Sequence, residues 1–132
     1  VARGWLTAAC AAAAVTGHVW PLFHEFRGGK GGATLVGALL ALAPLVVLVV
    51  LAIWLVVVML TGLVGLATMT AAVCVPVAIW VLGPAGEPLL SFAIAMAALV
   101  VFAHRSNIGR MNAGTEPRMN RLWLLRPRNS GS

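Results

Sequence analysis

The 132 residues are 61% hydrophobic and 9% charged, with nine Lys or Arg against three Asp or Glu and a formal net charge of +6. A mean hydropathy of +1.01 excludes an ordinary soluble domain and sets the chain among polytopic membrane proteins. At about 20 residues per span in a bilayer core about 30 Å thick, the length allows about four or five spans and no separate soluble domain.

The first apolar stretch, Trp5 to Val15, reaches the length of one span when extended to His18. Arg3 precedes it and no small-residue cleavage motif follows, so it does not read as a signal peptide. Next comes GHVWPLFHEFRGGKGGAT, Gly17 to Thr34, a polar and glycine-rich segment with two of the three histidines and the only lysine. Leu35 to Leu60 is then apolar, interrupted at Pro44. At about 1.5 Å per residue a single helix there is close to 40 Å long, too long to stand upright in one bilayer. Pro44 marks either a kink or a turn between two short helices.

Thr61-Gly62 breaks the pattern, Leu63 to Leu82 makes a span, Gly83 to Pro88 a tight loop and Leu89 to Ala103 the last span. The cations fall almost entirely into two clusters, Arg27 with Lys30 and then Arg105 to Arg128, and the positive-inside tendency assigns both to the cytoplasmic face. A single crossing over Leu35 to Leu60 puts them on opposite faces, whereas a turn at Pro44 puts them on one. The predicted fold is therefore all-α, a polytopic membrane helix bundle of about five membrane helices, one of them short or re-entrant, with the amino terminus outside and the carboxyl terminus inside. Residues 1–118 form the membrane domain and 119–132 a basic cytoplasmic tail.

From His104 the sequence changes character, to HRSNIGRMNAGTEPRMNRLWLLRPRNSGS. His104, Asn107, Ile108 and Met111 share one helical face, and Gly114 and Pro117 end that helix.

Two constellations carry chemistry. In Gly28, Gly29, Lys30, Gly31 and Gly32 consecutive backbone amides can curl round an anion while Lys30 supplies a mobile charge. A helix beginning near Gly32 aims its positive end at the same place, and phosphate is the natural ligand. This is not a Walker A loop, since His24 stands where a glycine is required and Gly31 where Ser or Thr must follow the lysine. On these residues alone a flexible interfacial basic loop fits equally well. His18 and His24 read first as interfacial side chains, and Glu25 with Arg27 as a solvated pair.

The second constellation is His104, Arg105, Asn107 and Glu116: histidine for acid or base work, arginine to fork onto phosphate, Asn and Glu to orient hydroxyls. Taken alone, Arg105 and Arg110 are ordinary positive-inside residues. The basic segments lack the interleaved aromatics of a base-stacking surface, which argues against nucleic acid. Cys10 and Cys74 have no second ligand nearby and read as small buried hydrophobes, not as a disulfide or a metal site.

GHVWPLFHEFRGGKGGAT resembles the GHxxPxFxxFxGGKGxAT motif of the PlsY family of bacterial acyl-phosphate:glycerol-3-phosphate acyltransferases, and FAHRSNIGRMNAGTEP resembles that family's HRxNIxRLxxGxE motif. The resemblance implies a multi-pass enzyme of phospholipid biosynthesis in the bacterial plasma (inner) membrane, its active site facing the cytoplasm. It implies transfer of an acyl group from acyl phosphate to the 1-hydroxyl of glycerol 3-phosphate, forming lysophosphatidic acid, with the acyl chain held among the helices. No cofactor or metal is implied. By matching position, Gly28, Gly29, Lys30 and Gly31, with Arg105, would bind substrate phosphate, and His104, Asn107 and Glu116 would line the glycerol phosphate site as its catalytic residues. His18 and Thr68 are secondary candidates.

Two departures accompany the resemblance. Nothing here matches the family's earlier GSGNxGATNxxR motif, so the chain reads as the carboxyl-terminal part of a longer protein, its upstream half missing or supplied separately. In the family's RxxSLxS-like loop this chain has Thr61 to Thr68, with Gly65 at the first serine position, Thr68 at the second and no arginine. The competing reading is a non-catalytic membrane remnant, or a small membrane protein whose basic loops hold anionic lipid headgroups. A transporter ranks below both, because the spans lack the buried charges that mark an ion path.

Overall fold

The computed structural model describes residues 2–20, 29–83 and 86–127, and among these there is no strand. Six helices follow one another: α1 Ala2–Val19, α2 Gly32–Leu42, α3 Pro44–Thr61, α4 Val64–Leu82, α5 Glu87–Ala103 and α6 Arg105–Asn112.

Local chemistry sets the breaks. Between α2 and α3 stands only Ala43, with φ −154° and ψ 72°. A residue before proline is pushed away from helical backbone, while proline itself suits a first helical turn that has no partner for an amide hydrogen. α5 starts at Glu87, ahead of its apolar run, because a carboxylate there complements the positive end of the helix and Pro88 loses no bond.

The chain reverses at Ala43-Pro44. The Gly31 end of α2 abuts Val15 and Val19 of α1, and Gly32 faces Thr68 near the start of α4. Leu42, at the other end of α2, shares a recess with Gly4 and Pro88. α3 then returns to the first end, where Gly62 meets Arg118 and Trp123. Helices α1, α3 and α5 thus run one way and α2 and α4 the other, and Pro44 is a turn.

α1 packs on α2 and α5, α5 on α4, α4 on α3 and α3 on α2, which closes the five helices into a ring. The interior is filled by Val15, Leu35, Leu39, Val46, Val75 and Val100, among others. The exterior is apolar as well: Leu48, Val56, Val77 and Ile94 are exposed, and Trp80 is 79% exposed. Such a shell suits hydrocarbon and not water. α3 and α4 are each long and apolar enough to cross a bilayer, and α5 with α6 makes a third such unit across a bend of 52°.

Candidate functional site

The bend at His104 lays α6 across the end of the bundle that holds Lys30. His104 and Asn107 are buried, at 4% and 6% exposure. Nδ1 of His104 lies 2.7 Å from the Val100 carbonyl, which can only accept, so Nδ1 carries the hydrogen and Nε2 is the nitrogen left to exchange a proton.

Asn107 links the two sequence constellations. Its Oδ1 accepts from Lys30 Nζ, and its Nδ2 donates to Glu116 Oε1 at 2.5 Å. An ammonium only donates and a carboxylate only accepts, so one amide orientation serves both. The second oxygen of Glu116 accepts from Arg110 Nε at 2.6 Å. Lys30 and Asn107, 77 positions apart in sequence, are thereby bonded directly, and the same amide reaches on to Glu116.

Glu116 reaches Asn107 because α6 ends in a tight reversal. Gly114 has φ 71°, its amide donates to Met111 at 3.1 Å, and the Thr115 amide donates to Arg110 at 2.8 Å. That pair of bonds around a left-handed residue swings the following chain back over the helix. A side chain at 114 costs about 1–2 kcal/mol of backbone strain, so Gly114→Ala is expected to lower the thermal unfolding midpoint of the solubilised protein, as scanning calorimetry would measure.

Behind Asn107 stands the first turn of α4. A β-carbon added at Gly65 would lie 2.8 Å from Asn107 Nδ2, so the helix approaches the amide as closely as a backbone can. One turn on, Thr68 Oγ1 donates to the Val64 carbonyl at 2.9 Å and accepts from Trp54 Nε1 at 3.1 Å. Thr68 and Gly32 lie on the wall of an apolar cavity of about 310 Å³ between α2, α3 and α4, lined further by Leu35, Leu39, Val50 and Val75.

Of the other residues singled out in the sequence, His18 is exposed and packs its ring against Gly29, whose amide donates to the His18 carbonyl at 3.2 Å. Gly31 is the N-cap of α2, and no side chain caps the amides that follow it. Gly28, along with His24, Glu25 and Arg27, lies outside the described residues. Arg105 is not brought to the cluster: its guanidinium donates to the Phe102 carbonyl at 3.1 Å and lies 4.5 Å from the centre of that ring. Arg110, read from the sequence as a topological charge, is the arginine that joins. Only the spacing from Arg110 across a glycine-terminated helix to Glu116 could have signalled it. Among the described residues no three His, Cys, Asp or Glu side chains gather where a metal could sit.

The hydrogen bond from Arg110, and then that from Asn107, hold the Glu116 carboxyl below its usual titration range. A carboxyl lowered in the folded state contributes to stability in full above its ordinary value of about 4.3, and that contribution is lost progressively as pH falls from there through the lowered value. Carboxyl-carbon NMR of Glu116 is expected to give a midpoint below the ordinary value, and Arg110→Ala is expected to move it part of the way back.

A helix bundle with an apolar shell, gathering an ammonium, an amide, a carboxylate and uncapped helix-start amides at one end, defines an integral membrane protein. The family described as glycerol-3-phosphate acyltransferase matches residues 1–114. The chain belongs to that family. It is 41% identical over 123 residues to a glycerol-3-phosphate acyltransferase of Synechococcus sp. (strain JA-3-3Ab), covering 93% of this chain and 60% of the relative. It is 43% identical over 112 residues to one from Neisseria meningitidis serogroup B, covering 85% of this chain and 56% of the relative. The fold superposes with a TM-score of 0.83 and 36% identity on the crystal structure of PlsY (YgiH), an integral membrane glycerol 3-phosphate acyltransferase in its glycerol 3-phosphate form, over 86% of this chain and 56% of that one. The lysophosphatidic acid form of the same protein superposes equally, with a TM-score of 0.83. The chain thus spans 60% of the length of the first of these relatives.

Proposed function

We propose that this chain takes part in transferring an acyl group from acyl phosphate to the 1-hydroxyl of glycerol 3-phosphate, giving lysophosphatidic acid for phospholipid synthesis. The observation that carries the reading is the link from Lys30 through Asn107 to Glu116, which joins the two motifs into one polar site beside an apolar cavity. Gly28, Gly29, Lys30 and Gly31 cradle substrate phosphate, with the α2 amides pointing at the same charge. Asn107 and Glu116 hold the glycerol hydroxyls, and the cavity takes the acyl chain.

The glycerol oxygen attacks the acyl carbonyl carbon, the bond from that carbon to the phosphate oxygen breaks, and inorganic phosphate leaves with the hydroxyl proton, directly or through His104 Nε2. Phosphate is already a good leaving group. The protein's work is chiefly to position two anions and to offset their repulsion, which falls to Lys30 and the glycine amides. Arg105, exposed and stacked on Phe102, would have to swing off that ring to meet incoming phosphate.

Residues 1–118 form the membrane domain and 119–132 a basic tail. α1 to α5 are its membrane helices, with α2 the short one, the amino terminus outside and the carboxyl terminus inside. Lys30, Arg110 and Arg118 lie at the bundle end assigned to the cytoplasm of a bacterial plasma membrane, as the positive-inside tendency favours. Membranes from cells expressing the gene that encodes this chain are expected to form lysophosphatidic acid and inorganic phosphate from the two substrates. Absence of product would sink the assignment.

A further inference from the structure

The last turn of a helix leaves its carbonyls without partners, and at a membrane interface that is costly. In α3 these groups are met by a segment far along the chain. The Met59 carbonyl accepts from the Leu124 amide at 2.8 Å, Leu60 from Trp123 Nε1 at 3.2 Å, Thr61 from an Arg118 guanidinium nitrogen at 2.5 Å, and Gly62 from the Met119 amide at 2.7 Å. The Arg118 guanidinium also stacks 4.6 Å from the Trp123 ring, and both side chains close over Gly62, which has no side chain to keep them off. A cation at a helix carboxyl end complements its dipole as well. The segment lies beyond the residues that the family matches.

Two site residues are held by this clasp. Arg118 follows Glu116 by a single intervening proline, so docking Arg118 on α3 tethers Glu116 from its carboxyl side while the Gly114 reversal tethers it from the other. The clasped end of α3 is also the start of the α3–α4 turn, from which Gly65 backs onto Asn107.

We infer that Arg118 and Trp123 are positioning residues for the glycerol 3-phosphate side of the site, acting through Glu116 and Gly65. The inference rests on the acyl-transfer reading above. It predicts a selective defect. Loosening the clasp displaces Glu116 and, through Gly65, Asn107, while the backbone of Gly29 to Gly31 stays seated on His18, Val15 and Val19 of α1.

The test is steady-state kinetics of the full-length gene product in membranes, varying each substrate in turn. Trp123→Ala and Arg118→Met are expected to raise KM for glycerol 3-phosphate about tenfold, with kcat and KM for acyl phosphate within about twofold of wild type. Arg118→Lys keeps a cationic donor and should recover most of the loss. Trp123→Phe keeps the ring over Gly62, removes only the donor to Leu60, and serves if Trp123→Ala fails to fold; a rise of about fivefold is expected, since one hydrogen bond is worth about 1 kcal/mol. Active enzymes with unchanged KM for glycerol 3-phosphate, or equal loss for both substrates, overturn the inference. A wild type that forms no lysophosphatidic acid overturns the acyl-transfer reading instead, and the positioning role falls with it.

Discussion

Replacing Lys30 by alanine is expected to lower kcat/KM for glycerol 3-phosphate acylation by about 100- to 1,000-fold, the usual cost of deleting one preorganised donor to a developing anion. Lys30 is bonded to Asn107, so its loss removes the charge proposed to face phosphate and a partner that fixes the amide. Lys30→Arg should restore little, because a planar fork cannot replace a point donor inside the proposed cradle of backbone amides. Headgroup binding of the generic kind would tolerate that exchange. Initial-rate assays on the two variants therefore separate catalysis from nonspecific attraction to anionic lipid.

Gly65→Ala is expected to cost about 100-fold in kcat/KM while leaving helix content, by circular dichroism, unchanged. The added carbon falls 2.8 Å from Asn107 Nδ2 and 3.1 Å from its Cγ. In many places a side chain would simply swing away. Asn107 cannot do so without leaving both Lys30 and Glu116, since its two amide atoms are committed to them. A small substitution on α4 thus acts as a displacement of the site on α6. An activity within twofold of wild type would mean that Asn107 has slack that this packing does not leave it.

Much of the architecture was legible in the sequence because its signals are local. Pro44 in an apolar run that is too long for one span and Thr61-Gly62 after the next one mark breaks that backbone chemistry enforces. The two polar constellations also lie at one end of the bundle, as the charge distribution suggested, and Lys30, Asn107 and Glu116 meet there. What stayed hidden is non-local. Arg105 and Arg110 look alike as cations after a span, and only the reversal at Gly114 selects Arg110 as the partner of Glu116, while the bend at His104 leaves Arg105 against Phe102. Gly65 reads as a serine lost from a motif until the close approach of α4 to Asn107 gives it a steric role. Trp123 and its leucines carry the composition of an interfacial tail, and nothing in that pattern names the carbonyls of α3 as its partners.

The central claim is that the glycine-lysine loop and the segment from His104 to Glu116 form one phosphate-receiving site. A double-mutant cycle on glycerol 3-phosphate binding, by calorimetry with Lys30→Gln, Glu116→Gln and the pair, addresses it most directly. Residues joined through one amide should couple by about 1 kcal/mol or more, so the double variant binds about fivefold tighter than the two separate losses multiplied together. Losses that simply multiply would place Lys30 and Glu116 in independent sites and contradict the account.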